Sequence, residues 1–141
     1  MKLIINEEIG YRLPVGKLTR LLLRTLKKYK QKKTKEKLKE LSLVLVSRAR
    51  IKGLNKKYLG QDKVTDVLSF GYGEIIICLP VAKKQAREHR LSINDEICLL
   101  FVHGLLHILG FDHKIKKDKI YMQKAEIAIL GRSGLISESL K

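Results

Sequence analysis

The chain has 141 residues, is 45% apolar, and carries 30 Lys and Arg against 14 Asp and Glu, a formal charge of +16. That length admits one ordinary core and not two, and the apolar share excludes wholesale disorder. The charge attracts polyanions at long range: nucleic acid is the commonest, an acidic membrane surface the alternative. Two cysteines, Cys78 and Cys98, stand far apart with no C-x-x-C pattern, so neither a disulfide framework nor a cysteine zinc knuckle is expected. Acids interrupt the N-terminus where a signal peptide is apolar, and no apolar run approaches the roughly 20 residues that span a bilayer. The expectation is a cytoplasmic protein with no membrane partner.

In chain order, Leu3 to Asn6 is a short opening strand, and Pro14 and Gly16 punctuate the chain before a periodic segment. There Leu18, Leu21, Leu22, Thr25, Leu26 and Tyr29 recur at helical spacing and predict an amphipathic helix. From Lys17 to Lys39, eleven Lys or Arg face a single Glu36, which suits a solvated face and contact with a polyanion equally. Leu41 to Ser47 reads as a buried strand. Arg48, Arg50, Lys52, Lys56 and Lys57 follow, with Ile51, Leu54 and Tyr58 between them, and predict a second basic surface on a helix. Val64 to Phe70 alternates as a strand, Gly71 to Gly73 turns, and Glu74 to Leu79 is apolar enough to be a central strand, paired antiparallel with its predecessor.

Pro80 opens a polar surface helix that ends near His89, which is expected to be an exposed residue and not a ligand. Ser92 or Asn94 caps the next helix, with Asp95 and Glu96 at its positive end. From Ile97 to Leu109 ten of thirteen residues are apolar, so this helix belongs at the centre of the core. The exceptions are His103, Gly104 and His107. Gly104 predicts close approach of a neighbouring backbone or of substrate. Asp118 caps a last helix from about Lys119 to Leu130. The fold class is α+β, a small mixed β-sheet packed by helices, with one domain over residues 1–131 and a frayed tail at 132–141.

The central helix holds the chemistry. His103 and His107 lie one turn apart on one face, Gly110 permits a left-handed stop, and His113 can return from beyond it. Three imidazoles around a divalent ion leave a position for water, the arrangement of catalytic zinc sites, although other divalent metals suit the same ligands. Metzincin peptidases share this spacing, but their general base is a glutamate where this chain has Gly104, and glycine moves no proton. Cys98, nine residues before His107, is about 900° away around the helix and is expected in the core.

The block HGLLHILGFDH, His103 to His113, and the stretch TDVLSF, Thr65 to Phe70, resemble the two hallmarks of the YbeY family of bacterial endoribonucleases and rRNA maturation factors. GEIIIC, Gly73 to Cys78, and LNKKYLGQD, Leu54 to Asp62, fit as well, with Glu74 in place of the family's usual Asp. The resemblance covers about residues 40 to 131. It implies one zinc ion held by His103, His107 and His113, cleavage of single-stranded RNA, maturation of the 3′ end of small-subunit rRNA, and a part in ribosome quality control, with the small subunit or ribosome as partner. Two positions depart from the pattern: Leu59 stands where an arginine commonly grips a phosphate, and Gly71 where a proline follows Ser-Phe.

With the metal as Lewis acid and activator of water, Asp112 is expected to orient a ligand or cap the turn after Gly110. Asp66 and Ser69 either line the cleft or fix a strand end. Arg48, Arg50 and Lys57 are candidates to take over the phosphate grip that Leu59 lacks. Aromatics are 6% of the chain, which argues against an extended base-stacking platform and for backbone-directed recognition. Two rivals to a nuclease remain, a non-catalytic zinc-containing ribosome-assembly factor and, less favoured, the metzincin-like peptidase.

Overall fold

The computed structural model describes residues 1–29, 38–111 and 116–131. His113, Asp112 and the 132–141 tail lie outside them. The elements run β1 (Lys2–Glu7), α1 (Val15–Lys28), β2 (Glu40–Val46), α2 (Arg48–Leu59), β3 (Val67–Phe70), β4 (Glu74–Cys78), α3 (Leu79–His89), α4 (Ile93–Ile108) and α5 (Lys116–Leu130). The sheet order is β1-β2-β4-β3, with β1, β2 and β4 parallel and β3 antiparallel to β4. Parallel neighbours need crossovers, and α1 supplies the first of them. The expected mixed sheet, interior β4 and antiparallel β3–β4 pair are all present.

Period-2 alternation sorts the strands between two cores. Leu41, Leu43, Leu45, Ile75 and Ile77 join the larger cluster with Leu18, Leu21 and Leu22 of α1, Phe101 and Leu105 of α4, and Ile129 of α5. Val44, Val46, Ile76 and Cys78 point the other way and pack with Ile51 of α2 and Leu68 of β3. Strands covered on both faces read as unbroken apolar runs, which is why β2 and β4 are legible. Cys78 and Cys98 are both fully buried, as expected of core residues, and burial pushes the Cys98 thiol up to about 11.

Several boundaries differ from expectation. β3 begins at Val67 and not at Val64, because Asp66 Oδ1 accepts from the Val67 amide at 2.7 Å and ends the regular pattern there. α5 begins at Lys116, so Asp118 lies inside it and is not its cap. Ser92 does cap α4, its hydroxyl accepting from the Asp95 amide at 3.0 Å. Among the described residues no single helix is long and apolar enough to cross a membrane.

Candidate active site

α4 is buried almost all round, and His103 and His107 are half-exposed exceptions on one of its faces. Their ring centroids are 5.1 Å apart and their planes 71° apart. At 100° per residue, Glu96, Leu100, His103 and His107 form one stripe along the helix. Gly104 faces away from that stripe into the sheet. A Cβ there would stand 3.2 Å from Cγ2 of Ile75, so the close approach that favours glycine is to a core side chain of β4, not to a backbone or a substrate. The helix ends as expected: Gly110 has φ +105°, its amide donates to His107 O and that of Phe111 to Leu106 O, each at 3.0 Å. This paired closure satisfies the last carbonyls and turns the chain back one turn beyond His107.

Glu126 of α5 meets His103 from behind. Its Oε1 lies 2.5 Å from His103 Nδ1, with the two side chains 17% and 34% exposed. An ionised carboxylate only accepts, so against it Nδ1 donates, and Nε2 is then the nitrogen with a lone pair that could bind a metal. Burial is the largest influence on His103 and lowers its pKa, but the hydrogen bond and charge of Glu126, with the charge of Asp66, outweigh it and raise the pKa overall. Asp112, expected to orient a ligand or cap the turn after Gly110, lies outside the described residues; among those described, the carboxylate that holds His103 is Glu126, which sequence reasoning missed. A signal was present: Met122, Ala125 and Ile129 are buried, and position 126 borders their stripe.

Beside His103 is a cleft of about 200 Å³, lined by Asp66, Gln85, His89, Glu96, Leu99, Leu100, His103 and Glu126. Asp66 takes both of its expected parts. It lines the cleft, and it fixes the strand end through Val67 and accepts from Gln85 Nε2 at 3.3 Å. Ser69 pairs with Ile75 in the sheet and is not among the lining groups. His89 keeps to the surface, with its side chain 36% exposed, but it has a buried partner that its sequence setting did not suggest. Arg90 adopts a left-handed conformation, φ 58°, and α3 meets α4 at a 109° bend, which folds His89 back so that its Nδ1 lies 2.5 Å from Oε1 of fully buried Glu96. Glu96 is thus a core carboxylate rather than a solvent-facing helix-end charge. Its pKa is raised by burial, which outweighs the opposing pull of His89.

Arg48, Arg50 and Lys57 all lie on α2, which packs on the opposite core from α4, and none lines the cleft. Arg50 Nε is 3.5 Å from Glu8, and Leu59 is 54% exposed on the last turn of the same helix. A larger hollow of about 620 Å³ between α1 and α5 is lined by Arg24, Lys27, Lys28, Ala128 and Ile129. Its described lining is cationic and apolar, whereas the smaller cleft gathers two imidazoles and three carboxylates.

No set of three or more metal-binding side chains occurs among the described residues. The two imidazoles present nonetheless fit a divalent ion: they stand one turn apart on one helix face, and a carboxylate fixes the tautomer of the first.

A family model described as Endoribonuclease YbeY matches residues 4–134. An Endoribonuclease YbeY of Desulforamulus reducens is 39% identical over 112 residues, covering 68% of this chain and 73% of that protein. One of Pelotomaculum thermopropionicum is 40% identical over 111 residues, covering 68% and 73%. The solution structure of a Thermotoga maritima protein superposes with a TM-score of 0.61 at 30% identity, covering 95% of this chain and 92% of that one. The histidine-bearing buried helix therefore sits in a chain that belongs to the YbeY endoribonuclease family, hydrolases acting on RNA.

Proposed function

We propose that this chain is a zinc-dependent endoribonuclease that cuts single-stranded RNA, acting in the cytoplasm on the 3′ end of small-subunit rRNA and in ribosome quality control. The observation that carries it is the His103–His107 pair, backed by Glu126, on the core helix of a chain of this family. His103, His107 and His113 would hold the ion. When bound, it supplies a positive charge that acidifies water and stabilises charge building on the phosphoryl oxygens. Glu126 keeps the proton of His103 on Nδ1 and the ring in one orientation. Asp66 is held by three donors, Val67, Thr65 and Gln85, and so presents a fixed carboxylate to the cleft. The cations of α2, Arg48, Arg50 and Lys57, stand outside the cleft and would hold the strand by its backbone beyond it, a task for which the Leu59 side chain has no hydrogen-bond donor.

The peptidase reading loses further support at Gly104, because a Cβ there would press on Ile75 Cγ2 at 3.2 Å, so the position is packed around glycine and not around a glutamate. The deciding experiment is cleavage of a labelled single-stranded RNA by zinc-loaded protein, with EDTA and His107→Ala as parallel controls at matched purity. Loss of cleavage in both controls is the expected outcome. Stoichiometric zinc with RNA left equally intact by wild type and variant would sink the nuclease reading and favour a zinc-containing assembly factor, to be checked by binding to the small ribosomal subunit.

A further inference from the structure

The low aromatic content argues against an extended stacking surface, yet the fold gathers three rings into a compact one. Tyr58 lies on the last turn of α2, Phe70 ends β3, and Tyr72 lies in the turn to β4. Tyr58 meets Phe70 edge-on with centroids 5.7 Å apart, and Phe70 stacks on Tyr72 at 5.6 Å with 13° between planes. The outer rings are 56% and 69% exposed. Large apolar faces left together in water mark a binding surface more often than chance.

Charge and position select the partner. Lys57 Nζ stands 5.2 Å from the Tyr58 ring centroid, and Lys56 shares its turn, in a chain of net charge +16. The acids nearby are Glu74, which accepts from the Tyr72 hydroxyl at 3.1 Å and steadies that ring, and Asp62, 4.0 Å from Lys56. β3 is an edge strand; Asp66, which lines the cleft, immediately precedes it, and Phe70 of the aromatic strip ends it. Four extended residues span about 13 Å, and the rings lie on the α2 side of this edge strand, so an RNA strand that leaves the cleft around the sheet edge reaches them within a few nucleotides.

We propose that Tyr58, Phe70 and Tyr72, with Lys57, form a base-stacking platform that holds single-stranded RNA beside the catalytic cleft. Every base has a π-face, so the platform binds without reading sequence, and the lysine engages the backbone as the rings engage the bases. It supplies through stacking what a phosphate-gripping arginine at position 59 would supply through charge. The inference rests on the ribonuclease reading above for its ligand.

The test is fluorescence anisotropy with a dye-labelled single-stranded RNA 12-mer and an abasic strand of equal length, using Tyr58→Ala/Tyr72→Ala, Tyr58→Phe/Tyr72→Phe and Lys57→Ala. Both tyrosines are exposed, and a melting curve for each variant verifies the fold. Loss of stacking at two rings should weaken the 12-mer roughly tenfold or more while sparing the abasic strand. The double Phe variant should bind as wild type does, and Lys57→Ala should weaken both strands alike. Equal weakening of both strands by the Ala variant overturns the platform. So does unchanged RNA affinity, and if that comes with a shift in sedimentation the strip is a contact between copies of the chain. Wild type that binds neither strand refutes the ribonuclease reading itself.

Discussion

Two histidine–carboxylate pairs flank the same cleft with the same 2.5 Å separation, and they do different things. In one, the histidine is on α4 and the carboxylate comes from α5; in the other, the carboxylate is on α4 and the histidine comes from α3. Glu96 is fully buried, and its Oε2 has no hydrogen-bond partner among the described residues, so its pair joins two helices across a bend at some cost in desolvation. Glu126 keeps contact with solvent, and its histidine has a second half-exposed imidazole as neighbour. The contact is alike, so the setting decides: a buried acid braces the fold, and on the metal reading proposed above an accessible one would aim a ligand.

The comparison breaks most sharply at the histidines. His103→Ala should lose RNA cleavage by more than the ~100-fold ceiling typical of an outer partner, whereas His89→Ala should keep most of it, both measured at saturating zinc. Comparable losses would put His89 in the chemistry. Next come the carboxylates. Glu126→Ala is expected to weaken zinc binding about 10- to 100-fold in competition with a chromophoric chelator, and Glu96→Ala to leave it nearly unchanged.

Stability should rank them in reverse. Urea unfolding should show Glu96→Ala costing about 2 kcal/mol, below the figure for a fully buried pair because His89 can rehydrate, and Glu126→Ala about 1 kcal/mol or less. Acidity adds a signed effect. The Glu96 pKa is raised above 4.5 in the fold, so the folded state binds more protons than the unfolded one, and its contribution is lost as pH climbs from about 4.5 through the folded value. Glu96→Gln should flatten that decline, and parallel pH–stability curves for wild type and variant would contradict it. The smallest effect is at the turn after His89: Arg90→Gly relieves a left-handed residue and should raise stability by about 0.5–1 kcal/mol without altering cleavage.

These pairs also mark where legibility stopped. β4, α4 and the stop at Gly110 follow from local pattern, since an apolar run, a Ser cap and a glycine each act within a few residues. Glu96 and Glu126 needed the third dimension. Two acids beside the start of α4 look like charges on a helix end, and only the packing of α3 over them buries one. Glu126 sits in an ordinary amphipathic segment, and its partner is 23 residues away in the chain. The aromatic strip failed to show for the same reason, because Tyr58 and Phe70 meet only when α2 folds over β3. His107 and His103 were legible because their spacing is itself the geometry.

Gly104 has a consequence for motion. Its missing Cβ lets α4 lie so close on Ile75 that the helix shares the core of β4, and the amides around His103 and His107 are expected to be among the last to open. Their hydrogen exchange should proceed only through global unfolding, at the slowest rates in the chain, while the termini exchange by fraying. A site on such a helix holds its two imidazoles as still as the centre of the molecule and leaves movement to the strand that comes to be cut.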